Sequence, residues 1–283
     1  KPNLKGIEII KEDENHVHLD VSAGECWDNF VKWCVKNDYA GIENMVMIPG
    51  TVGGGVSQNI GAYGQEISSV LTKINALDIE TLTEKQLKTK DCGYGYRKSN
   101  FKNIWMNRYL IISAVFKLKK HTKDFDLSYK ERAGRYGSLK EELDSFAKEP
   151  YSIQDVMEAI IRQRTKRLPS VEEYGTAGSF FANPIVTLEK FNDLSKVIPD
   201  LQSYPAEGYS DEYIKIPAGR LLDELGWKGK TVGNVETFER HALCVVTNMK
   251  ASGKEVLDFI QEMQKSVKDN YDIELKPEVN IIN

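Results

Sequence analysis

Apolar and polar positions along this chain predict a mixture of strands and helices. The alternating residues 16–21 and the almost wholly apolar residues 110–118 are typical of strands. In longer segments the apolar side chains recur at helical spacing, which predicts helices over residues 27–35, 153–164 and 253–267. Further strands are predicted over residues 7–10, 74–79, 242–247 and 273–282, and a short helix around residues 221–225.

The order of these elements predicts an α+β protein in two parts. The helical pattern of residues 153–164 ends at Leu168-Pro169, because the residue before a proline is disfavoured in a helix. The composition changes beyond that point. We therefore expect one domain over residues 1–168 and a second over residues 169–272, with residues 273–283 forming a strand that returns to the first domain. A chain of 283 residues is long enough for two domains with separate cores.

Composition and charge argue against several classes of protein. The formal net charge is −4, so the chain has no overall positive charge that would attract nucleic acid. No apolar run approaches the length that is needed to span a bilayer. The cysteines are scattered and no histidines stand at zinc-ligand spacing, so we expect reduced thiols and no bound metal. These cysteines are Cys26, Cys34, Cys92 and Cys244.

The most informative segment is residues 48–64, with the sequence IPGTVGGGVSQNIGAYG. Six of its residues are glycine and none is charged. Glycine permits positive φ and lets backbone N–H groups approach a ligand, so the segment suits an anion nest for a pyrophosphate or for the polar edge of a flavin ring. It matches neither the Walker pattern nor a dinucleotide-binding GxGxxG. Taken alone, it is equally compatible with a tight loop that binds no ligand.

Three further stretches carry candidate functional side chains. In CGYGYRKS (residues 92–99), Arg97 beside Tyr96 is suited to hold a carboxylate, although a surface turn explains the same residues. In GTAGSFFANP (residues 175–184), Ser179 is not in a GxSxG elbow, which leaves a proton donor or a small-residue turn. In LKPEV (residues 275–279), Glu278 is either a functional carboxylate in an apolar strand or a solvent-facing residue at an edge.

In this order and at these intervals, the four stretches resemble the UDP-N-acetylenolpyruvoylglucosamine reductase (MurB) family of bacterial peptidoglycan synthesis, and the resemblance covers nearly the whole chain. It implies a FAD-binding domain of the vanillyl-alcohol-oxidase (PCMH) type followed by an α+β substrate-binding domain. It further implies that NADPH reduces FAD and that the flavin then reduces UDP-N-acetylglucosamine enolpyruvate to UDP-N-acetylmuramate. We expect a cytoplasmic monomer that binds neither nucleic acid nor a membrane.

The resemblance also implies roles for individual residues. Ser179 matches the proton donor, while Arg97 and Glu278 match the pair that polarises the enolpyruvyl carboxylate and stabilises the developing enolate. Tyr129 resembles the tyrosine of the loop that covers the substrate in type I members of the family. The positions that match the segment along the flavin are Pro49, Gly50, Gly53, Gln58, Asn59, Gly61 and Ala62. The positions that match the site of the UDP-sugar are Arg167 and Asn183, and Tyr96 is expected to line the site.

The sequence departs from the family's pattern in several places. It starts at Lys1 without an initiator Met, and the family's N-terminal subdomain with its glycine-rich segment for the FAD pyrophosphate is not seen. We therefore expect that this segment of the flavin site is missing. Arg167 stands where a lysine is common, which keeps the charge and changes the hydrogen-bonding shape. Residues 130–133 (KERA) replace the glycine turn that is expected after Tyr129.

Two other functions remain open at this point. An oxidase or dehydrogenase of the same flavin superfamily would act on another small molecule, and a preference for substrates without UDP or enolpyruvate would indicate it. A fragment without redox activity would bind a UDP-sugar through its second domain, and nucleotide-sugar binding without bound flavin would indicate that function.

Overall fold

The computed structural model describes residues 3–125, 127, 138–206 and 208–281. The chain forms two compact units, which divide between Arg164 and Thr165, close to the change of composition at Pro169. An antiparallel sheet and helices form the first unit, and smaller sheets and helices form the second. The predicted α+β fold class is therefore confirmed.

The main sheet of the first unit has the strand order β1-β2-β8-β6-β7, and β3 pairs with β8 as well. Val17 lies opposite Leu118 and Val21 lies opposite Ala114, so the apolar side chains of β2 and β8 share one face. These residues are buried, and they form the side of the first unit's hydrophobic core that the sheet contributes. The strands are β1 (Ile7–Glu12), β2 (His16–Ser22), β3 (Tyr39–Ala40), β4 (Gly61–Ala62), β5 (Gln65–Glu66), β6 (Leu71–Asp78), β7 (Thr83–Lys88) and β8 (Tyr109–Lys120).

Helix α1 covers this apolar face. The rings of Phe30 and Phe116 lie 5.0 Å apart between centroids, and the indole of Trp27 lies 5.8 Å from Phe30. The indole nitrogen donates to the carbonyl of Met45 at 2.9 Å, so a large buried residue keeps its hydrogen bond. The helices are α1 (Trp27–Lys36), α2 (Val52–Gln58), α3 (Leu139–Asp144) and α4 (Ile153–Arg167), and short 3₁₀ turns lie at Glu43–Met45, Ile67–Ser69, Thr89–Asp91 and Asn100–Lys102.

The sequence does not predict strand β7. Its residues, TEKQLK, lack the apolar alternation of a half-buried strand, and nearly all of them are exposed. The strand is nevertheless fully paired with β6, from Lys73 opposite Lys88 to Asp78 opposite Thr83. As an edge strand it needs a ladder of backbone hydrogen bonds on one side only, and its charged side chains discourage pairing with another chain.

The second unit contains a four-stranded sheet of order β13-β14-β15-β9 and a three-stranded sheet of order β10-β12-β11. A capping box of Ser252 and Glu255 begins its longest helix, α7, which buries Phe259, Ile260 and Met263. The strands are β9 (Gly175–Ser179), β10 (Ile185–Thr187), β11 (Tyr204–Pro205), β12 (Tyr213–Lys215), β13 (Thr231–Val232), β14 (Val235–Phe238) and β15 (His241–Thr247). The helices are α5 (Leu188–Val197), α6 (Ala218–Glu224) and α7 (Gly253–Tyr271).

The predicted final strand over residues 273–282 is wrong for its described part, which ends at residue 281. Leu275 is buried in the core of the second unit, and Pro277 forms one isolated bridge with Phe181 of the same unit. A proline has no N–H group to donate to a ladder, which is why the apolar pattern around it does not become a regular strand.

All four cysteines lie in the described part of the chain and none forms a disulfide. Burial raises the pKa of Cys34 well above its ordinary value and raises that of Cys92 to about 11, so both thiols stay protonated at neutral pH. Along the described ranges, no helix is long and apolar enough to cross a membrane.

Candidate active site

The glycine-rich segment forms a short helix rather than an open loop. The Oγ1 atom of Thr51 accepts the N–H of Gly54 at 3.3 Å and so caps helix α2. Gly50, just before the cap, has a φ of +115°, a conformation that residues with a Cβ rarely adopt. Asn59 ends the helix with a φ of 48°, in the left-handed region.

The backbone N–H groups of α2 are used inside the protein. Those of its first two residues donate to the carbonyls of Glu25 and Ala23, each at 2.9 Å. Those of the next two both donate to Thr51, one to the side chain and one to the carbonyl. The predicted anion nest is therefore wrong for residues 52–55, because each of these N–H groups already has an acceptor.

Gly53 lies where α2 comes closest to the end of β2. A Cβ at this position would lie 2.8 Å from the Cβ of Ala23, so we expect Gly53→Ala to lower the free energy of unfolding by about 1–3 kcal/mol. Gly54→Ala is the matched control, since a Cβ there would lie 3.5 Å from the Thr51 hydroxyl, an ordinary contact. We expect that variant to keep or slightly gain stability. Urea unfolding of both variants is the test, and equal losses would contradict the close contact.

The exposed face of this segment fits a flat and mostly uncharged group. Pro49, Gly50 and Gly54 are exposed, and a Cβ on Gly50 would meet nothing within 4 Å beyond its chain neighbours. Because residues 48–64 contain no charged side chain, the surface offers backbone and small apolar groups. These features suit the ring of a flavin and offer no counter-ion to its phosphates.

The segment continues into a two-stranded hairpin of β4 and β5. Tyr63 and Gly64 form its turn with φ values of 48° and 83°, the positive pair that type I′ turns require. A Cβ on Gly61 would lie 2.6 Å from the carbonyl oxygen of Gln65, so this position of the hairpin has no room for a side chain. The carbonyl oxygen of Gly61 accepts a hydrogen bond from Nη2 of Arg97 at 3.1 Å.

Arg97 lies in a tight turn that is closed by two backbone hydrogen bonds between Gly95 and Lys98, at 3.1 and 2.9 Å. Its φ of +52° is uncommon for a residue with a Cβ. The guanidinium carbon lies 5.4 Å from the centre of the Tyr96 ring, within cation–π range. The predicted Tyr96–Arg97 pair is therefore one local unit, and Gly61 attaches it to the glycine-rich segment.

Ser179 ends strand β9 with an exposed side chain. The strand pairs with β15, where Ser179 lies opposite Cys244, and the register shifts between Cys244 and Val246. Gly178, with a φ of +75°, lies within this irregular stretch, and its N–H donates to Thr176 Oγ1 at 3.0 Å. The bulge and its hydrogen bond fix the backbone just before the serine hydroxyl.

Phe180, which follows Ser179, is hydrogen-bonded to two other segments, strand β15 and the C-terminal residues around Glu278. The N–H of Phe180 donates to the carbonyl of Leu243 at 2.9 Å, and the N–H of Glu278 donates to the carbonyl of Phe180, also at 2.9 Å. Phe181 and Pro277 form an isolated antiparallel bridge between these two hydrogen-bonded neighbours, and the N–H of Ala182 donates to the carbonyl of Lys276 at 3.0 Å on its other side. This pairing joins the half-buried Glu278 to Phe180, the residue that follows Ser179, although the two are far apart in the sequence.

Asn183 and Arg167 occupy different local settings in the second unit. The Oδ1 atom of Asn183 accepts the N–H of Ala218 at 3.0 Å, which ties the AGSFFANP stretch to the first turn of α6. Arg167 is the last residue of α4 and is half-buried. Its positive charge acts on His241, a residue that the sequence analysis does not single out.

His241 begins strand β15 and is half-buried. Burial, followed by the positive charges of Arg167 and Lys228, lowers the pKa of His241 to about 4. Its Nδ1 atom accepts the N–H of Leu243 at 3.3 Å, so the neutral ring carries its proton on Nε2 as a donor. A histidine at the start of an apolar strand is a weak sequence signal, because the flanking cations come from distant segments.

The lowered pKa of His241 predicts a loss of stability in acid. Between about pH 6.5 and pH 4 the unfolded chain binds a proton that the folded protein excludes, so stability falls as the pH falls through this window. At pH 5 we expect the protonation of His241 in the unfolded chain to lower the free energy of unfolding by about 2 kcal/mol relative to pH 7. His241→Gln should remove this loss. Urea unfolding at both values tests this, with His121→Gln at an exposed histidine as the control. An unchanged pH dependence in His241→Gln would contradict the prediction.

Tyr129 lies outside the described residues, so the loop that it would belong to is not placed. Apart from Arg167, which lies near His241, the other predicted residues fall into two local groups. In the first unit, Tyr96 and Arg97 adjoin the glycine-rich segment. In the second unit, Glu278 pairs with Phe180, the residue after Ser179, and Asn183 follows along the same stretch.

Family models match both parts of the chain. Residues 3–83 match the model of a FAD binding domain, and residues 170–282 match that of the UDP-N-acetylenolpyruvoylglucosamine reductase C-terminal domain. The first match includes the whole glycine-rich segment, and the second includes Ser179, Asn183 and Glu278.

Curated relatives extend this similarity over the whole chain. The UDP-N-acetylenolpyruvoylglucosamine reductase of Flavobacterium johnsoniae is 38% identical over 280 residues, which cover 99% of this chain and 80% of the relative. The enzyme of the same name from Porphyromonas gingivalis is 36% identical over 279 residues, covering 99% of this chain and 79% of the relative. A crystal structure of the reductase from Thermus caldophilus shares the fold, with a TM-score of 0.57 and 24% identity over 92% of this chain and 71% of that one.

Proposed function

Because this chain belongs to the UDP-N-acetylenolpyruvoylglucosamine reductase family, it is a flavin-dependent oxidoreductase of peptidoglycan precursor synthesis, and we propose that Ser179, Arg97 and Glu278 carry its chemistry. The enzyme uses FAD and NADPH. Its proposed substrate is UDP-N-acetylglucosamine enolpyruvate and its product UDP-N-acetylmuramate. The observation that supports the residue roles best is the backbone pairing that places Glu278 beside the Ser179–Phe180 stretch.

Arg97 is proposed to hold the carboxylate of the enolpyruvyl group. Addition of hydride to one carbon of the enol ether leaves negative charge on the neighbouring carbon and on its carboxylate. A guanidinium that is already fixed in place stabilises the transition state, where this charge has grown, more than it stabilises the bound substrate. It therefore lowers the barrier of the reaction and does not only tighten binding. Bound FAD supplies the hydride. The hydrogen bond from Nη2 to Gly61 fixes the position of this guanidinium beside the glycine-rich segment.

Ser179 is proposed to donate the proton that completes the reduction. Its hydroxyl is exposed at the end of β9, on a backbone that is fixed on both sides by hydrogen bonds to neighbouring segments. A serine hydroxyl is a weak acid, so it serves as a donor only towards a strongly basic carbon that is formed next to it. Glu278 is proposed to act beside it on the same developing charge.

The flavin is proposed to lie along the open face of the glycine-rich segment. The proposed positions are those that match the family, namely Pro49, Gly50, Gly53, Gln58, Asn59, Gly61 and Ala62. The exposed, side-chain-free backbone at Gly50 supports this placement. The N–H groups of residues 52–55 do not take part, since they are bonded inside the protein.

The UDP part of the substrate is proposed to bind in the second unit. Arg167 and Asn183 match the family's positions, and Lys228 and His241 join them because the charges of Arg167 and Lys228 both act on His241. A neutral histidine donating from Nε2 beside two cations suits phosphate oxygens. Tyr129, and with it membership of the type I subclass, is part of the same proposal.

The remaining assignments are also proposals. Residues 1–168 would form the FAD-binding domain and residues 169–272 the substrate-binding domain, as supported by family matches at residues 3–83 and 170–282. The enzyme would act as a cytoplasmic monomer.

The test of the proposed function follows NADPH absorbance in a mixture of the purified protein and FAD. Oxidation of NADPH should begin when UDP-N-acetylglucosamine enolpyruvate is added and should not begin with UDP-N-acetylglucosamine. Faster oxidation with a small molecule that lacks UDP and enolpyruvate would instead favour another member of the flavin superfamily. Binding of the sugar nucleotide without any oxidation of NADPH would contradict the assignment of the chemistry to this chain.

A further inference from the structure

Asn59 is fully buried and directs its side chain into the protein. Its Nδ2 atom donates to the carbonyl of Gly95 at 2.8 Å and to Oε2 of Glu66 at 3.0 Å, while its Oδ1 atom accepts the N–H of Ser68 at 3.3 Å. Both N–H bonds of the amide are thus used by the protein. Asn59 therefore supports the glycine-rich segment from its buried side, opposite the face on which the flavin is proposed to lie. It also connects that segment to the turn that carries Arg97.

Lys102 makes a second connection to the same turn. Its Nζ atom donates to Oε1 of Gln58 at 2.6 Å and to the carbonyl of Arg97 at 3.3 Å, so one ammonium group joins the end of α2 to the backbone of the arginine. Ser99 adds a third connection, since its hydroxyl donates to the carbonyl of Ser57 at 2.5 Å.

These contacts explain how Arg97 is kept in an unfavourable conformation. Its φ of +52° is not one that the turn would retain without support, because the left-handed region is sparsely populated by residues with a Cβ. Residues 57–59 hold the turn through Gly95, Ser99 and Lys102, and Gly61 holds the guanidinium itself.

We infer that Lys102 is a positioning residue, which fixes the guanidinium of Arg97 at the place where the substrate carboxylate binds. This inference rests on the proposed role of Arg97. A purely structural residue would change the binding of both ligands. Loss of Lys102 should weaken binding only of those ligands that carry the carboxylate.

The experiment measures two dissociation constants by calorimetry on the FAD-loaded enzyme without NADPH. The ligands are UDP-N-acetylglucosamine enolpyruvate and UDP-N-acetylglucosamine, which lacks the carboxylate. We expect Lys102→Met to weaken binding of the first about tenfold, as a misplaced charged hydrogen bond does, and to leave the second unchanged. Lys102→Arg should retain most of the affinity, and Lys98→Met, at an exposed lysine of the same turn, is the matched control.

The same measurement on Arg97→Met, and on the double variant that combines it with Lys102→Met, distinguishes failure of the inference about Lys102 from failure of the proposed role of Arg97. If Lys102 acts through Arg97, the double variant should bind no more weakly than Arg97→Met alone. Additive losses, or equal losses for both ligands in Lys102→Met, would overturn the inference. If Arg97→Met leaves the carboxylate-dependent affinity unchanged, the proposed role of Arg97 itself fails, and this result is distinct from the failure of Lys102 alone.

Discussion

Ser179→Ala should leave the reduction of FAD by NADPH unchanged and slow the reduction of the enolpyruvyl substrate by about 10³-fold. The substitution removes one hydroxyl from an exposed strand end and leaves the backbone pairing of Ser179 with Cys244 in place. The neighbouring Gly178 bulge does not depend on the hydroxyl either, because its hydrogen bond goes to Thr176. The loss should therefore fall on the proton transfer and not on the fold.

Stopped-flow flavin absorbance separates the two half-reactions of this variant. Ser195→Ala, at an exposed serine of helix α5, is the matched control and should change neither half-reaction. If a folded Ser179→Ala enzyme loses both half-reactions equally, Ser179 is not the proton donor.

Glu278→Gln should reduce kcat for the enolpyruvyl substrate by about 10²-fold with a smaller change in KM. Glutamine has nearly the same shape, and the N–H of residue 278 would still donate to the carbonyl of Phe180. The variant therefore removes the carboxylate and its ability to exchange a proton, while the pairing with the Ser179–Phe180 stretch is kept.

Steady-state kinetics on Glu278→Gln and Glu274→Gln check this result. Glu274 lies in the same C-terminal segment and is exposed, so its loss of charge should have little effect. A rate for Glu278→Gln close to that of the control would show that the carboxylate takes no part in the reaction.

Helices α1, α4 and α7 are predicted well from the sequence, whereas α2 and α5 are not predicted. Residues 27–35 and 253–267 are predicted as helices and are found in α1 and α7, because an apolar stripe at helical spacing is a local property that the fold then buries. The strands of the core follow from the same logic, as β8 and β15 are almost wholly apolar. The family motifs also predict the flavin chemistry, which the similarity to the curated reductases confirms.

Other elements depend on partners that a local pattern does not contain. Strand β7 is polar on both faces and exists because β6 pairs with it along its length. The apolar residues after 273 look like a strand, yet they fill the core of the second unit around Leu275 and form a single bridge at Pro277. The glycines of residues 52–55 suggest an anion nest, and their N–H groups turn out to have acceptors in the protein.

The sequence by itself determined the fold class, the amphipathic helices α1, α4 and α7, the buried strands β8 and β15, and the residues that match a known family's motifs. Each of these depends only on residue types and on short spacings along the chain. Only the tertiary structure decided that Glu278 pairs with Phe180, next to Ser179, that Asn59 and Lys102 support Arg97, and that His241 lies near two cations. The physical reason is that these contacts join segments far apart in the chain. Hydrogen bonds and charge interactions depend on distance in space, which the spacing of residues along a chain does not specify.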